Sequence, residues 1–487
     1  MTITNGTGFH QIDRIGGEQV PPSGRLDGWL CEPGSGERIA QQATTDLAGV
    51  ERAIAIADEI DRSGTWRMLP TETRALLLER VAGELDTRSE EIALAESTGS
   101  GVVISVARLF VGGLAGSFRG AAAQLRGGWL RTDLNEDGRE VELLRLPWGP
   151  TVILVPWNAP AAMAATKVAN ALAVGAPVIL KPPEWAPFGC NVLADAIDAA
   201  GLPAGVFQMV HGGPGVGVAL TTDPRIRAIS FTGSVATGRA IAHAAAEDFK
   251  AVQLELGGNN PVIIRPDADI DRTAASVADG MVKLNGQWCE GPGKVFVRPE
   301  MLEGFVDALE RHLSTYRIGS NLDPNTQFGP LSHESHRQQL EDQIQRLVDQ
   351  GAHVRIVECD QDLTGWIWPP RIVLGVDPND CVDELFGPVV TVHAIDSDEE
   401  AIQLANESPY GLAGYVFGQD IQAAMAVGRA IRFGEVKING TSLLDMSPVS
   451  AQSFWRNSGI GGHGDKEAFA FFCGTQIVGV DRQGLPI

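Results

Sequence analysis

Basic residues are in short supply in this 487-residue chain: 38 Lys and Arg stand against 61 Asp and Glu, a formal charge of −23. Such a surface repels phosphate backbones and anionic lipid, which excludes nucleic acid and membrane as general partners but not a small basic pocket. Closely spaced cysteines are missing as well. Cys31, Cys190, Cys289, Cys359, Cys381 and Cys473 come no nearer than 22 residues apart, so no CxxC metal or redox motif exists. Sparse thiols in a long acidic chain predict a reducing compartment. The opening MTITNGTGFHQIDRIGG has neither a basic start nor an apolar run and reads as no signal peptide, which makes a cytoplasmic location the expectation. The nearest approach to a membrane-length apolar run, residues 151–180, is broken by Pro156, Asn158, Pro160, Lys167, Asn170 and Pro177. It reads as a buried strand, loop, helix and strand.

What is present is a globular composition. Apolar residues make up 44 % and charged residues 20 %, enough for a sizeable core and unlike a disordered, collagenous or disulfide-stapled chain. Helical spacing of apolar residues predicts helices over 46–62, 71–98 and 101–126, and 141–146 (VELLRL) reads as a strand. An alternation follows: strands at 151–156, 177–182, 206–210 and 228–233, with helices over 160–174, 187–200, 214–221 and 235–247 between and after them. A second alternation has strands at 252–256, 260–265, 294–298, 389–395, 415–418 and 436–439 and helices over 271–284, 300–315 and 334–350. Short apolar strands alternating with helices predict an α/β fold with two doubly wound lobes that meet near residue 256. The terminal 471–480 (FFCGTQIVGV) reads as a strand beyond the last unit.

Glycine is abundant, at 57 residues. Three strand ends run into Gly-bearing turns: Gly212, Gly213, Gly215 and Gly217; Gly233, Ser234 and Gly238; Gly257 and Gly258. Turns of this kind expose amides where a diphosphate can bind, and they also serve as plain turns. Residues 233–239 (GSVATGR) lack the Lys and following Ser/Thr of a Walker loop. His333 and His336 are either a metal pair or a polar helix start, with no further ligand nearby in sequence. Cys289 is either a buried inert thiol or a nucleophile.

Eight motifs in order settle the pattern: PWNAP (156–160), KPPE (181–184), FTGSxxxG (231–238), LELGG (254–258), GQxC (286–289), ELFGPV (384–389), NxxxYGLA (406–413) and SGIG (458–461). Over about residues 20–480 the chain resembles the aldehyde dehydrogenases. The resemblance implies a Cys289 nucleophile that forms a hemithioacetal, an oxyanion held by the Asn158 side chain and the Cys289 amide, and a thioester hydrolysed by water that Glu255 activates. Lys167 matches a lysine used in moving protons. Lys181 and Glu184 match residues that bond the adenosine ribose, and a carboxylate there favours NAD over NADP. Trp157, Gly213, Gly217, Phe231, Gly233, Ser234 and Leu256 match positions around the dinucleotide, and Glu384 and Phe386 those that hold the nicotinamide ribose and ring. No metal is implied. Residues 1–124 and 146–255 would form the NAD-binding domain and 256–456 the catalytic domain. Residues 125–145 and 457–487 would form an oligomerisation arm and terminal strand of a homodimer or homotetramer. Same-fold alternatives are a CoA-acylating enzyme, which Glu255 argues against, and a catalytically silent NAD-binding protein; a plain cysteine hydrolase is a third.

The chain departs from the family at three places. Asn259 stands where lysine is usual after ELGG, and faintly favours an aromatic substrate. Glu290 follows the nucleophile where small residues are common; it would raise the thiol pKa and repel anionic substrates, or turn away into a salt bridge with Lys294. Gln452 replaces an aromatic at the substrate mouth within the irregular 441–456 loop, and GHGDKE follows SGIG without the usual arginine. Candidate lining residues for the aldehyde are Ala159, Met163, Trp288, Glu290 and Gln452.

Overall fold

Runs such as TVIL and VILK have no polar face to offer water, so they are stable only where both sides of the sheet are covered. Every residue of Thr151–Leu154 and Val178–Lys181 is buried in the computed structural model, which describes residues 9–135, 140–358, 364–443, 446–447 and 450–481. Cys359 and part of the 441–456 loop lie outside the described residues. Five strands run parallel in the order Phe207–Met209, Val178–Lys181, Thr151–Leu154, Ala228–Thr232, Ala251–Glu255. The chain steps outward from Thr151–Leu154 through two strands and then returns to its other flank. That reversal leaves a crevice between the loops that follow Thr151–Leu154 and Ala228–Thr232. Antiparallel strands close the edges: Asp13–Ile15 with Glu18–Val20 on one side and Gly459–Ile460 on the other, where Gly459 lies opposite Glu255.

A second sheet begins immediately after the first ends. Its parallel strands are ordered Arg371–Leu374, Val389–Ala394, Pro292–Val297, Asn260–Ile264, Ala413–Phe417, Glu435–Ile438, with His353–Ile356 antiparallel at the edge. Residues 256–259 therefore carry the chain from one sheet to the other. A third, antiparallel sheet joins Arg131–Asp133, Val141–Pro147 and Cys473–Gly479. The last two pair within this one chain, from Val141 opposite Gly479 to Pro147 opposite Cys473. Among the described residues no helix is long and apolar enough to cross a membrane.

The structure differs from the sequence reading in places where a local signal was absent or polar. The 71–98 helix is two helices, Thr71–Thr87 and Ser89–Ser100, divided at Arg88, whose ψ of 10° breaks the hydrogen-bond ladder. Pro70 sits at the first helix's N-cap. Phe471 ends the helix Asp465–Phe471, so the terminal strand begins only at Cys473. The hairpin Gly24–Cys31 with Arg38–Thr44 went unread because its residues alternate between partial burial and exposure and carry many polar side chains.

Trp66 ties the first lobe together. It is fully buried, and its indole N–H donates to the Leu172 carbonyl at 2.8 Å. Leu172 belongs to Pro160–Val174, the helix that also carries Lys167. Trp66→Ala should therefore cost about 3–5 kcal/mol, read as a lowered urea midpoint for the first unfolding transition; Trp66→Phe, which keeps most of the volume, should cost less.

Candidate active site

Glu255 ends the last parallel strand of the first sheet, and its side chain is almost fully buried. Its Oε1 lies 3.9 Å from Cys289 Sγ, and its Oε2 has no hydrogen-bond partner. Lys167 Nζ stands 3.9 Å from that oxygen but donates instead to Gln253 Oε1 at 2.8 Å. Desolvation lowers the Lys167 pKa, with Glu255 opposing the shift. Thus a carboxylate with spare acceptor capacity faces the thiol across van der Waals distance.

The Cys289 loop is built from unusual backbone. Leu284 and Asn285 take left-handed φ values of 49° and 58°, costly for side-chain-bearing residues. Asn285 compensates: its Nδ2 donates to the Gly101 and Pro330 carbonyls at 2.7 and 2.9 Å, and its Oδ1 accepts from the Gly329 amide at 2.8 Å. Gly286 follows at φ 81°, where a Cβ would sit 2.1 Å from Pro388 N; only glycine fits. On the far side, Asn260 Nδ2 donates to the carbonyls of Cys289 and Gly291 at 2.9 and 2.8 Å. Sequence reasoning gave Asn260 no role; its one signal is an amide placed directly after the turn between the sheets.

Asn158 does not cap the helix that starts at Pro160. Its Nδ2 donates to the Gln287 carbonyl at 2.7 Å, which fixes the amide's orientation toward the Cys289 loop and leaves its second N–H for another acceptor. The thiol pKa is pushed well above its ordinary value, first by burial and then by Glu255, Glu290 and Glu384. Glu384 receives the Gly258 amide at 3.0 Å, and desolvation pushes its carboxyl up to about 8. The anticipated Glu290–Lys294 pair is not formed. Lys294 donates to the Pro378 carbonyl, while Glu290 Oε1 accepts from Gln452 Nε2 at 3.0 Å and its Oε2 lies 3.9 Å from Lys437.

The remaining expected site residues gather at the carboxyl ends of the first sheet's strands. Lys181 Nζ lies 3.2 Å from Glu184 Oε2. Gly213 starts the helix Pro214–Thr222, which contains Gly217. Ser234 caps Val235–Ala246, and Gly233 lies against the Phe231 ring, where its Cβ would come within 2.5 Å. Leu256 packs on Gly238. From the second lobe, the Phe386 ring meets Trp157 edge-on at 5.4 Å. His333 and His336 complete this aromatic cluster, 5.3 and 5.0 Å from Trp157, with Trp185 stacked on His333 at 4.4 Å. Burial holds the two imidazoles at about 3 and about 4, and His333 caps the helix Glu334–Asp349.

A cavity of roughly 330 Å³ ends on Glu255, Lys167 and His463, with Met163, Thr166, Asn170, Gly116 and Gly120 among its other walls. Of the five candidate lining residues, Met163 borders it. Trp288, Glu290 and Gln452 are instead buried: the Trp288 indole donates to the Gly280 carbonyl and the Gln452 amide to Glu290 Oε1. Ala159 borders a second, narrower cavity beside Asn158. Asn259 Nδ2 reaches the carbonyls of Cys381, Val382 and Asp383 at 2.8–3.2 Å, holding the segment that leads to Glu384.

Comparison with known proteins shows the family. The model of the aldehyde dehydrogenase family matches residues 27–478. A Staphylococcus aureus (strain USA300) protein bearing an aldehyde dehydrogenase name is 32 % identical over 455 residues, covering 92 % of this chain and 94 % of its own. Among solved structures, a point mutant of S. aureus betaine aldehyde dehydrogenase in complex with NAD+ superimposes with a TM-score of 0.92 at 27 % identity, over 98 % of this chain and 97 % of that one. A mutant of aldehyde dehydrogenase C from Pseudomonas syringae, complexed with NAD+ and octanal, gives 0.89 at 30 % identity over 96 % of both chains.

If Glu290 helps hold the thiol protonated, Glu290→Gln should raise the thiolate fraction of Cys289 at neutral pH. Iodoacetamide should alkylate that variant roughly three- to tenfold faster than the native protein at pH 7.5. Both rates should climb toward alkaline pH, the native one later. Equal rates would remove Glu290 from the electrostatics of the thiol.

Proposed function

Because the chain belongs to the aldehyde dehydrogenase family, we propose that it oxidises an uncharged aldehyde, aromatic ones included, to the carboxylic acid with NAD as cosubstrate. The observation that carries the proposal is the buried Glu255 carboxylate at the wall of a cavity, its Oε1 3.9 Å from Cys289 Sγ and its Oε2 without a hydrogen bond.

Once its proton has left to solvent, the Cys289 Sγ thiolate adds to the aldehyde carbon, and the oxyanion that forms is met by the free N–H of Asn158 and the Cys289 amide, a donor set of the kind worth about 3 kcal/mol per member. Bound NAD supplies the hydride acceptor; loss of hydride from the tetrahedral carbon leaves a thioester on Sγ. Glu255 then takes a proton from water, which attacks the thioester and releases the acid. That same carboxylate argues against CoA acylation, in which water must be kept out. Lys181, Glu184 and the glycine turns at Gly213, Gly217 and Gly233 suit the adenosine and diphosphate, with the Glu184 carboxylate favouring free ribose hydroxyls. Trp157, Phe231, Ser234 and Leu256 suit the walls of that crevice, and Glu384 with Phe386, from the second lobe, suits the nicotinamide end. Two further groups beside the thiol, the carboxylates of Glu255 and Glu290, disfavour an anionic substrate.

The third sheet supports a homo-oligomer, dimer or tetramer. Among the described residues the outer edge of Cys473–Gly479 is unpaired, beside exposed Ile477, Val478 and Val480. An edge of this kind invites strand pairing with a second copy.

Three measurements test this reading. Purified protein mixed with NAD and benzaldehyde or hexanal, without CoA, should form NADH, and Cys289→Ala should not. Faster turnover of succinic semialdehyde than of either would sink the uncharged-substrate reading. Glu184→Ser should lower the KM for NADP relative to NAD about tenfold; an unchanged ratio would take Glu184 out of cofactor choice. Sedimentation of the native protein as a monomer would refute the oligomer.

A further inference from the structure

Behind Glu255 lies a hydrogen-bonded pair to which the reaction above gives no work. The two-residue strands Gln452–Ser453 and Gly462–His463 run antiparallel, with Gln452 opposite His463. Gln452 Nε2 donates to Glu290 Oε1 at 3.0 Å and to the Leu412 main-chain carbonyl at 3.1 Å. A main-chain carbonyl only accepts, so the amide nitrogen must face it and Oε1 must point away. That Oε1 lies 2.8 Å from His463 Nε2. The bond requires the proton on Nε2, so the neutral ring presents Nδ1 as a bare lone pair. Nδ1 lies 3.8 Å from Glu255 Oε1, and both residues border the same cavity.

We propose that His463 accepts, at Nδ1, the proton that Glu255 removes from the hydrolytic water, and passes it to solvent through the cavity. The proposal rests on Glu255 being the base. The water oxygen bonds to the thioester carbon and its proton goes to Glu255. Transfer to Nδ1, by a small side-chain rotation or through one bridging water, restores the carboxylate. The C–S bond then breaks, sulfur keeps the electron pair, and the imidazolium returns its proton to solvent. Nothing is oxidised or reduced.

The charged groups around the ring suit this traffic. Glu255 faces Nδ1 directly from the first sheet. Glu290 faces Nε2 only through Gln452. The cations stand one carboxylate further off: Lys167 is 3.9 Å from Glu255 Oε2, and Lys437 is 3.9 Å from Glu290 Oε2 and 2.9 Å from Glu435. The Phe454 ring packs edge-on at 5.5 Å. His463 acts through Glu255 and is a positioning residue whose protonation state matters.

The test isolates deacylation without knowing the natural aldehyde. Cys289 is acetylated with p-nitrophenyl acetate, excess ester is removed, and decay of the adduct is followed by intact mass at several pH values. In His463→Gln the decay should slow at least about tenfold and lose the dependence on pH that an imidazole proton acceptor imparts. Added imidazole should speed decay in His463→Ala. Gln452→Met, which removes the tautomer lock, should slow decay in the same direction and serves if the histidine variants do not fold. Decay of His463→Gln at the native rate overturns the proposal. So does slow decay that keeps the native pH dependence, with no imidazole rescue of His463→Ala, because that marks a packing role. Glu255→Gln separates the two readings. Fast decay there removes the base itself; slow decay there beside normal decay in His463→Gln overturns only the role of His463.

Discussion

A carboxylate and a thiol share one poorly solvated floor between two sheets, and the rest of the site is arranged around that proximity. Glu255 is held by strand pairing on both sides: Thr232 lies opposite it in parallel register and Gly459 in antiparallel register. Cys289 is held by a loop of left-handed residues whose strain Asn285 and Asn260 offset with five hydrogen bonds to main-chain groups. Neither group has a dedicated cation. The consequence is a thiol whose pKa is raised and a carboxylate free to accept. The arrangement favours keeping Cys289 protonated until substrate and cofactor alter the surroundings, and keeps a base within reach of water throughout.

The same constraint explains why the two lobes are covalently so close. Residues 256–259 make the shorter of the two crossings between the sheets, the other running from Ile438 back to Gly459, and the amides on this short bridge are put to use: Gly258 N–H on Glu384, and the Asn259 side chain on the 381–383 carbonyls. Motion of one lobe against the other would move Glu384 and Phe386 relative to Glu255, so this bridge couples cofactor contacts to the base.

The parallel core was legible in the sequence because its strands are apolar on both faces and separated by Gly- and Pro-marked turns. The strands at 151–154, 178–181 and 228–232 and the helix over 160–174 fall where periodicity placed them. Half-exposed pieces such as the Gly24–Cys31 hairpin carry no such signal. The candidate nucleophile, base and amide were visible only through resemblance, since a lone Cys, Glu or Asn has no pattern of its own. What neither source supplied were partners fixed by long-range register. Glu290 bonds to Gln452, 162 residues away, rather than to nearby Lys294, and Gln452 meets His463 because two short strands pair. A residue read as a substrate-mouth substitution thus turns out to be buried.

The central claim is that the Cys289 acyl-enzyme is released by water activated at Glu255. Glu255→Gln mixed with NAD and an accepted aldehyde, quenched and measured by intact mass, tests it directly. The account predicts one acyl group per chain, mapped to Cys289 and persisting after NADH formation has stopped. Continued release of carboxylic acid at the native rate, with no adduct on Cys289, would contradict it.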